Sequence, residues 1–124
     1  MRTVLVADDD PDILGMLVLR LEQAGHRVLA VPDGPTALAE VRRVAPDLAV
    51  LDVAMPGLSG LDVCRVLHED PATAAIPVVL LTARAEDGDV EAGWAAGAAD
   101  YIVKPPSLAD LVTRIDALLA RSPR

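Results

Sequence analysis

The chain has 124 residues, enough for one domain with a sizeable core and too few for two. Hydrophobic residues make up 52% and charged residues 24%, a globular balance that excludes a disordered chain. The net charge of −8 argues against a nucleic-acid groove, which needs clustered Lys and Arg, and no apolar run approaches the roughly 18 residues of a membrane span.

Five β-like runs alternate with five helical patterns. The first run, residues 3–8, follows Met1-Arg2 with no basic-then-apolar leader, so no export signal is expected. Asp10-Pro11 then reads as an N-cap followed by proline at the first helical position. Leu14, Leu17, Val18 and Leu21 mark the inner face of that helix, and Gly25 is its expected stop. The second run spans 27–31. Asp33-Gly34-Pro35 opens the second helix in the same way, with Leu38, Val41 and Ala45 expected inward. The third run, 47–52, precedes a helix over about 60–67 with Leu61, Cys64 and Leu67 on one side. The fourth run is 77–82, and the Ala- and Gly-rich helix expected over 87–96 should be the least stable. The fifth run, 100–103, leads to the clearest helix: Ser107 and Asp110 resemble a capping box, and Leu108, Leu111, Val112, Ile115, Leu118 and Leu119 form an unbroken stripe. Residues 1–121 are read as one domain. Residues 122–124 read as a tail, or as the start of a linker to an output domain.

The first, third and fourth runs are almost continuously apolar, as strands buried on both faces are, so they should be central in a parallel sheet. Strict β-α alternation with right-handed crossovers implies a doubly wound α/β sheet with helices on both faces. The lone Cys64 cannot form an internal disulfide, which fits a reducing cytoplasm. It reads as a small core side chain more than as a nucleophile.

In such a sheet the functional residues gather at the strands' carboxyl ends. The first strand ends in Asp8-Asp9-Asp10, the third in Asp52, the fourth in Thr82-Ala83 and the fifth in Lys104-Pro105. Lys104 is the only lysine among eleven cations. Two carboxylates about 4 Å apart repel by roughly 4 kcal/mol at an effective dielectric near 20, so the cluster needs a cation. Oxygen ligands with room for water suit Mg²⁺. A carboxylate there can act as a nucleophile toward phosphorus, and ammonium and hydroxyl can stabilise the transferred group. Each piece has a plainer interpretation: a solvated acidic turn, a helix cap, a strand threonine, a surface lysine. All four together at strand ends favour the chemistry.

These residues resemble a known family. Residues 4–10 (Val-Leu-Val-Ala-Asp-Asp-Asp), Asp52-Val53-Ala54-Met55-Pro56-Gly57 followed by Gly60, Leu81-Thr82-Ala83, and 97–105 ending in Tyr101-Ile102-Val103-Lys104-Pro105 are similar to receiver domains of two-component response regulators. The resemblance covers the whole chain. It implies a flavodoxin-like (βα)5 domain with a five-stranded parallel sheet of order 2-1-3-4-5. It implies that Asp52 is the phosphoacceptor and that Asp9, Asp52 and the Ala54 carbonyl ligate Mg²⁺, with Asp8 acting through water. Thr82 and Lys104 would bind phosphoryl oxygens, aided by backbone N–H groups near Ala54 and Ala83, and the bond preceding Pro105 would be cis. The donor would be a sensor histidine kinase or a phosphotransfer protein. The switch would run through Thr82 and Tyr101 to a face built from the fourth predicted helix, the fifth strand and the last helix, also the expected homodimer surface. For Tyr101, a half-buried strand aromatic is the plainer alternative. Pro106 stands where the family usually has phenylalanine. Ala54 and Arg84 fill two variable positions that resemble tuners of phosphoryl lifetime; Ala54 offers no side chain to hold a hydrolytic water, which implies slow self-dephosphorylation. Two other classes remain open: a phosphotransferase or phosphohydrolase with an aspartyl-phosphate intermediate, and a degenerate receiver serving only protein interaction. The signalling receiver is not an enzyme acting on other substrates, and no nucleic-acid or membrane contact is expected of this domain.

Overall fold

The computed structural model describes residues 2–82, 94–104 and 107–121. Its elements are β1 (Thr3–Ala7), α1 (Pro11–Gln23), β2 (Arg27–Val31), α2 (Gly34–Val44), β3 (Leu48–Asp52), α3 (Gly60–Glu69), β4 (Val78–Thr82), β5 (Asp100–Val103) and α4 (Leu108–Arg121). The five strands form one parallel sheet of order β2-β1-β3-β4-β5, the doubly wound order expected. The three apolar runs are the central strands, and β3 and β4 are buried along their whole length.

The strand period of two sorts side chains between two cores. Leu5, Ala7, Ala49, Leu51 and Leu80 face α2 and α3, meeting Ala37, Val41, Val63, Cys64 and Leu67. Val4, Val6, Leu48, Val50, Val79, Leu81 and Ile102 face α1 and α4, meeting Leu17, Leu21, Leu111, Ile115 and Leu119. Each fully buried leucine or isoleucine contributes about 1.5–3 kcal/mol over its exposed state, so these stripes hold the helices on the sheet.

Local signals place most helix ends. Asp10 accepts from the N–H groups of Asp12 (2.9 Å) and Ile13 (3.4 Å), and Asp33 accepts from Thr36 N–H at 2.8 Å. Ser107 accepts from Asp110 N–H at 3.3 Å. Gly25, at φ 95°, follows α1 and donates to the Glu22 carbonyl at 3.0 Å. Two details differ from the sequence-based expectation. Ala45 does not point inward: it is the exposed C-cap of α2 in a left-handed conformation (φ 51°, ψ 65°), and Ala37 takes the inner position. Ser59 caps α3 through Asp62 N–H at 3.1 Å, and that helix runs on to Glu69. Of the helix expected over 87–96, residues 87–93 lie outside the described residues; Trp94 and Ala95 are helical and Trp94 is half-exposed. The expected tail, 122–124, also lies outside them. No described helix is long and apolar enough to cross a membrane.

Candidate functional site

Four parallel strands bring the polar residues to one edge. β1 ends at Ala7, and Asp8 just beyond it is buried, donating its N–H to Val31 O at 3.2 Å and accepting Asp10 N–H on Oδ1 at 3.0 Å. Asp9 is exposed on the rim. Asp10 is committed to capping α1, so the acidic triplet divides between site and helix. Asp52, the last residue of β3, is buried between the ends of β1 and β4. Its Oδ1 receives a long 3.4 Å bond from Ala54 N–H. Asp8, Asp9 and Asp52 each present a carboxylate oxygen within 4.8 Å of the others.

Lys104 supplies the counter-charge. Its backbone N–H donates to the Thr82 carbonyl at 2.6 Å, tying the end of β5 to that of β4. From there Nζ reaches 2.8 Å from Asp8 Oδ2 and 3.2 Å from Asp52 Oδ2. The contact to Asp8 Oδ2 is an ion pair, and that buried oxygen has no hydrogen-bond partner among the described residues. Thr82 is buried at the end of β4, beside the same rim.

The electrostatics follow. Burial pushes the Asp52 carboxyl up to about 6, and the Asp8 charge adds to this; Lys104 and the Ala54 N–H oppose but do not cancel it. Burial alone would lower the Lys104 ammonium, but contact with Asp8 and then Asp52 outweighs it and raises it. Among the described residues three carboxylates face one ammonium, a formal excess of two negative charges that a divalent cation would balance. An all-oxygen donor set with one buried oxygen that lacks a hydrogen bond among the described residues fits a hard ion such as Mg²⁺.

Asp8, Asp9, Asp52, Thr82 and Lys104 are thus brought together. Ala54 stands exposed just past Asp52. Tyr101 packs on the α3-side core with its hydroxyl buried and, among the described residues, without a hydrogen-bond partner. Ala83, Arg84, Pro105 and Pro106, and with them the expected cis bond, lie outside the described residues. Cys64 is a buried core thiol, held up at about 11 by burial. Gly60, expected only as the start of the third helix and as a motif member, has a further role. A Cβ there would lie 2.8 Å from the Asp52 carbonyl carbon, so a bare backbone is required beside the acidic residue. Its place directly after the Ser59 cap was the available signal.

A family model described as response regulator receiver domain matches residues 4–116. The chain is 43% identical over 119 residues to the DNA-binding response regulator MtrA of Mycobacterium tuberculosis, covering 96% of this chain and 51% of that protein. It spans about half the length of the curated relatives it matches. Among solved structures, a chain from Chloroflexus aurantiacus assigned as a response regulator superposes with TM-score 0.92 at 37% identity, covering 97% of this chain and 98% of that one. The receiver domain of a signal transduction histidine kinase from Syntrophus aciditrophicus gives TM-score 0.93 at 32% identity, with 100% and 94% covered.

Proposed function

The chain belongs to the response regulator receiver domain family of two-component signalling, and from that premise we propose that Asp52 accepts a phosphoryl group from a phosphohistidine of a sensor histidine kinase or phosphotransfer protein. The observation that carries this is the trio of carboxylates within 4.8 Å, spanned by one ammonium that contacts both Asp8 and Asp52.

An Asp52 carboxylate oxygen attacks phosphorus, forming a P–O bond as the P–N bond to the donor imidazole breaks. With its carboxyl at about 6, Asp52 is mostly ionised at neutral pH and able to attack. Asp8, Asp9, Asp52 and the Ala54 carbonyl would hold Mg²⁺, which supplies charge neutralisation for the incoming phosphoryl oxygens. Lys104 offers a compact positive charge and Thr82 a hydroxyl to the same oxygens, with backbone N–H groups near Ala54 and Ala83 assisting. Loading that charge biases Thr82 and Tyr101, and through them the face built from the fourth predicted helix (87–96), β5 and α4, toward a partner-binding state; a second copy of the chain is one such partner. The domain, residues 1–121, acts in the cytoplasm, and 122–124 are its tail or the start of a linker to an output domain.

The test is incubation with an acyl phosphate and Mg²⁺, followed by intact-mass measurement. One phosphoryl group per chain is expected, lost in Asp52→Asn. Multiple turnover of a phosphomonoester would point instead to a phosphohydrolase, and no labelling at all would point to an interaction-only receiver.

A further inference from the structure

The loop joining β3 to α3, residues 53–59, carries the Ala54 carbonyl and belongs to no helix or strand. Contacts at its far end hold it. Gly60 N–H donates to Val53 O at 3.0 Å, closing the loop, and the bare Gly60 backbone lies against Asp52 and Val53. Opposite stands the first turn of α2. Gly34 is buried there, and a Cβ on it would lie 2.7 Å from Leu58 Cβ and 2.8 Å from the Leu58 carbonyl carbon. Gly57, at φ 83°, faces the Pro35 ring so closely that its own Cβ would lie 2.8 Å and 2.9 Å from the ring's Cγ and Cδ. The turn is itself fixed, because Asp33 accepts Thr36 N–H on its side chain at 2.8 Å and Ala37 N–H on its carbonyl at 3.0 Å.

We propose that the start of α2, through Gly34 and Pro35, is the wall that positions the β3–α3 loop for metal binding, which makes both positioning residues although neither touches the acidic cluster. This rests on the assignment of that cluster as the Mg²⁺ site. The packing there leaves no void for an added methyl group, so a side chain at position 34 must displace backbone at 57–58. With Gly60 pinned to Val53, the loop takes up such a push by shifting residues 54–56, where the proposed ligand carbonyl sits. Supporting contacts behind metal ligands commonly change affinity by roughly 10- to 100-fold when removed.

The probe is Mn²⁺, its free ion counted by electron paramagnetic resonance, on the whole chain. Folding is checked by circular dichroism. Gly34→Ala should bind Mn²⁺ roughly tenfold more weakly. Pro35→Ala, which removes the ring from Gly57 at an exposed position, should weaken binding in the same direction and less. Gly15→Ala, on α1 with nothing within 4 Å of its added Cβ, should match the wild type. In acyl-phosphate labelling, Gly34→Ala should raise the half-saturating Mg²⁺ concentration and keep the rate at saturation, a split that simple loss of stability does not produce. Wild-type affinity in a folded Gly34→Ala chain overturns the proposal. If that variant does not fold, wild-type affinity in Pro35→Ala overturns it. A wild-type chain that binds no Mn²⁺ overturns the metal-site assignment itself, a distinguishable failure.

Discussion

Replacing Asp52 by asparagine should make the metal-free protein more stable at neutral pH. The side chain is 5% exposed and shares the rim with Asp8, so its charged form is disfavoured on folding. A rise from 3.8 to about 6 is roughly two units at 1.36 kcal/mol each, a ceiling of about 3 kcal/mol. The rim is open to water at Asp9, and screening brings the expected gain to about 1.5 kcal/mol. The folded carboxyl keeps its proton to higher pH than the unfolded one. The native wild type therefore binds more protons than the unfolded chain from about pH 4 to 6, loses stability as pH rises through that window, and is level above it. Asparagine has no such titration. Urea unfolding with a chelator at pH 4 and 7.5, followed by circular dichroism, should show the variant's advantage only at the higher pH. An asparagine variant no more stable than wild type at pH 7.5, or one equally advantaged at pH 4, would refute the burial argument.

Lys104→Met should do the opposite: without the ammonium, Asp8 and Asp52 are left uncompensated, costing up to about 3 kcal/mol without metal, and added Mg²⁺ should restore most of it in thermal melts. An unchanged metal-free melting temperature would contradict the counter-charge role. Ala45→Gly should stabilise the chain by about 0.5–1 kcal/mol, because glycine tolerates the left-handed C-cap that alanine occupies at φ 51°; a loss in urea unfolding would contradict this. The Asp52 phosphoryl group should survive for minutes or longer, since Ala54 has no polar side-chain atom to hold an attacking water, and a lifetime of seconds by intact mass would count against that.

The central strands and both cores were legible because residues 4–7, 48–51 and 78–81 are apolar without interruption and the helix stripes keep their period. The acidic rim was legible because parallel strands end on one edge, so residues 44 positions apart, Asp8 and Asp52, must meet there. What local pattern did not carry was contact between distant backbones. Nothing around Gly34 announces that Leu58 packs against it, and nothing around Lys104 specifies one ammonium touching two carboxylates. Ala45 illustrates a subtler limit. Pro46 disfavours helix at the residue before it and marks the end of α2, yet a left-handed alanine is too uncommon to expect from sequence.

The most direct test concerns which carboxylate is modified. After exposure to an acyl phosphate and Mg²⁺, reduction with borohydride converts an aspartyl phosphate to the corresponding alcohol, which peptide mass spectrometry locates. The account predicts conversion at residue 52 alone, abolished by chelating the metal. Conversion at Asp8 or Asp9, or none in a folded protein with Mg²⁺ bound, would contradict it.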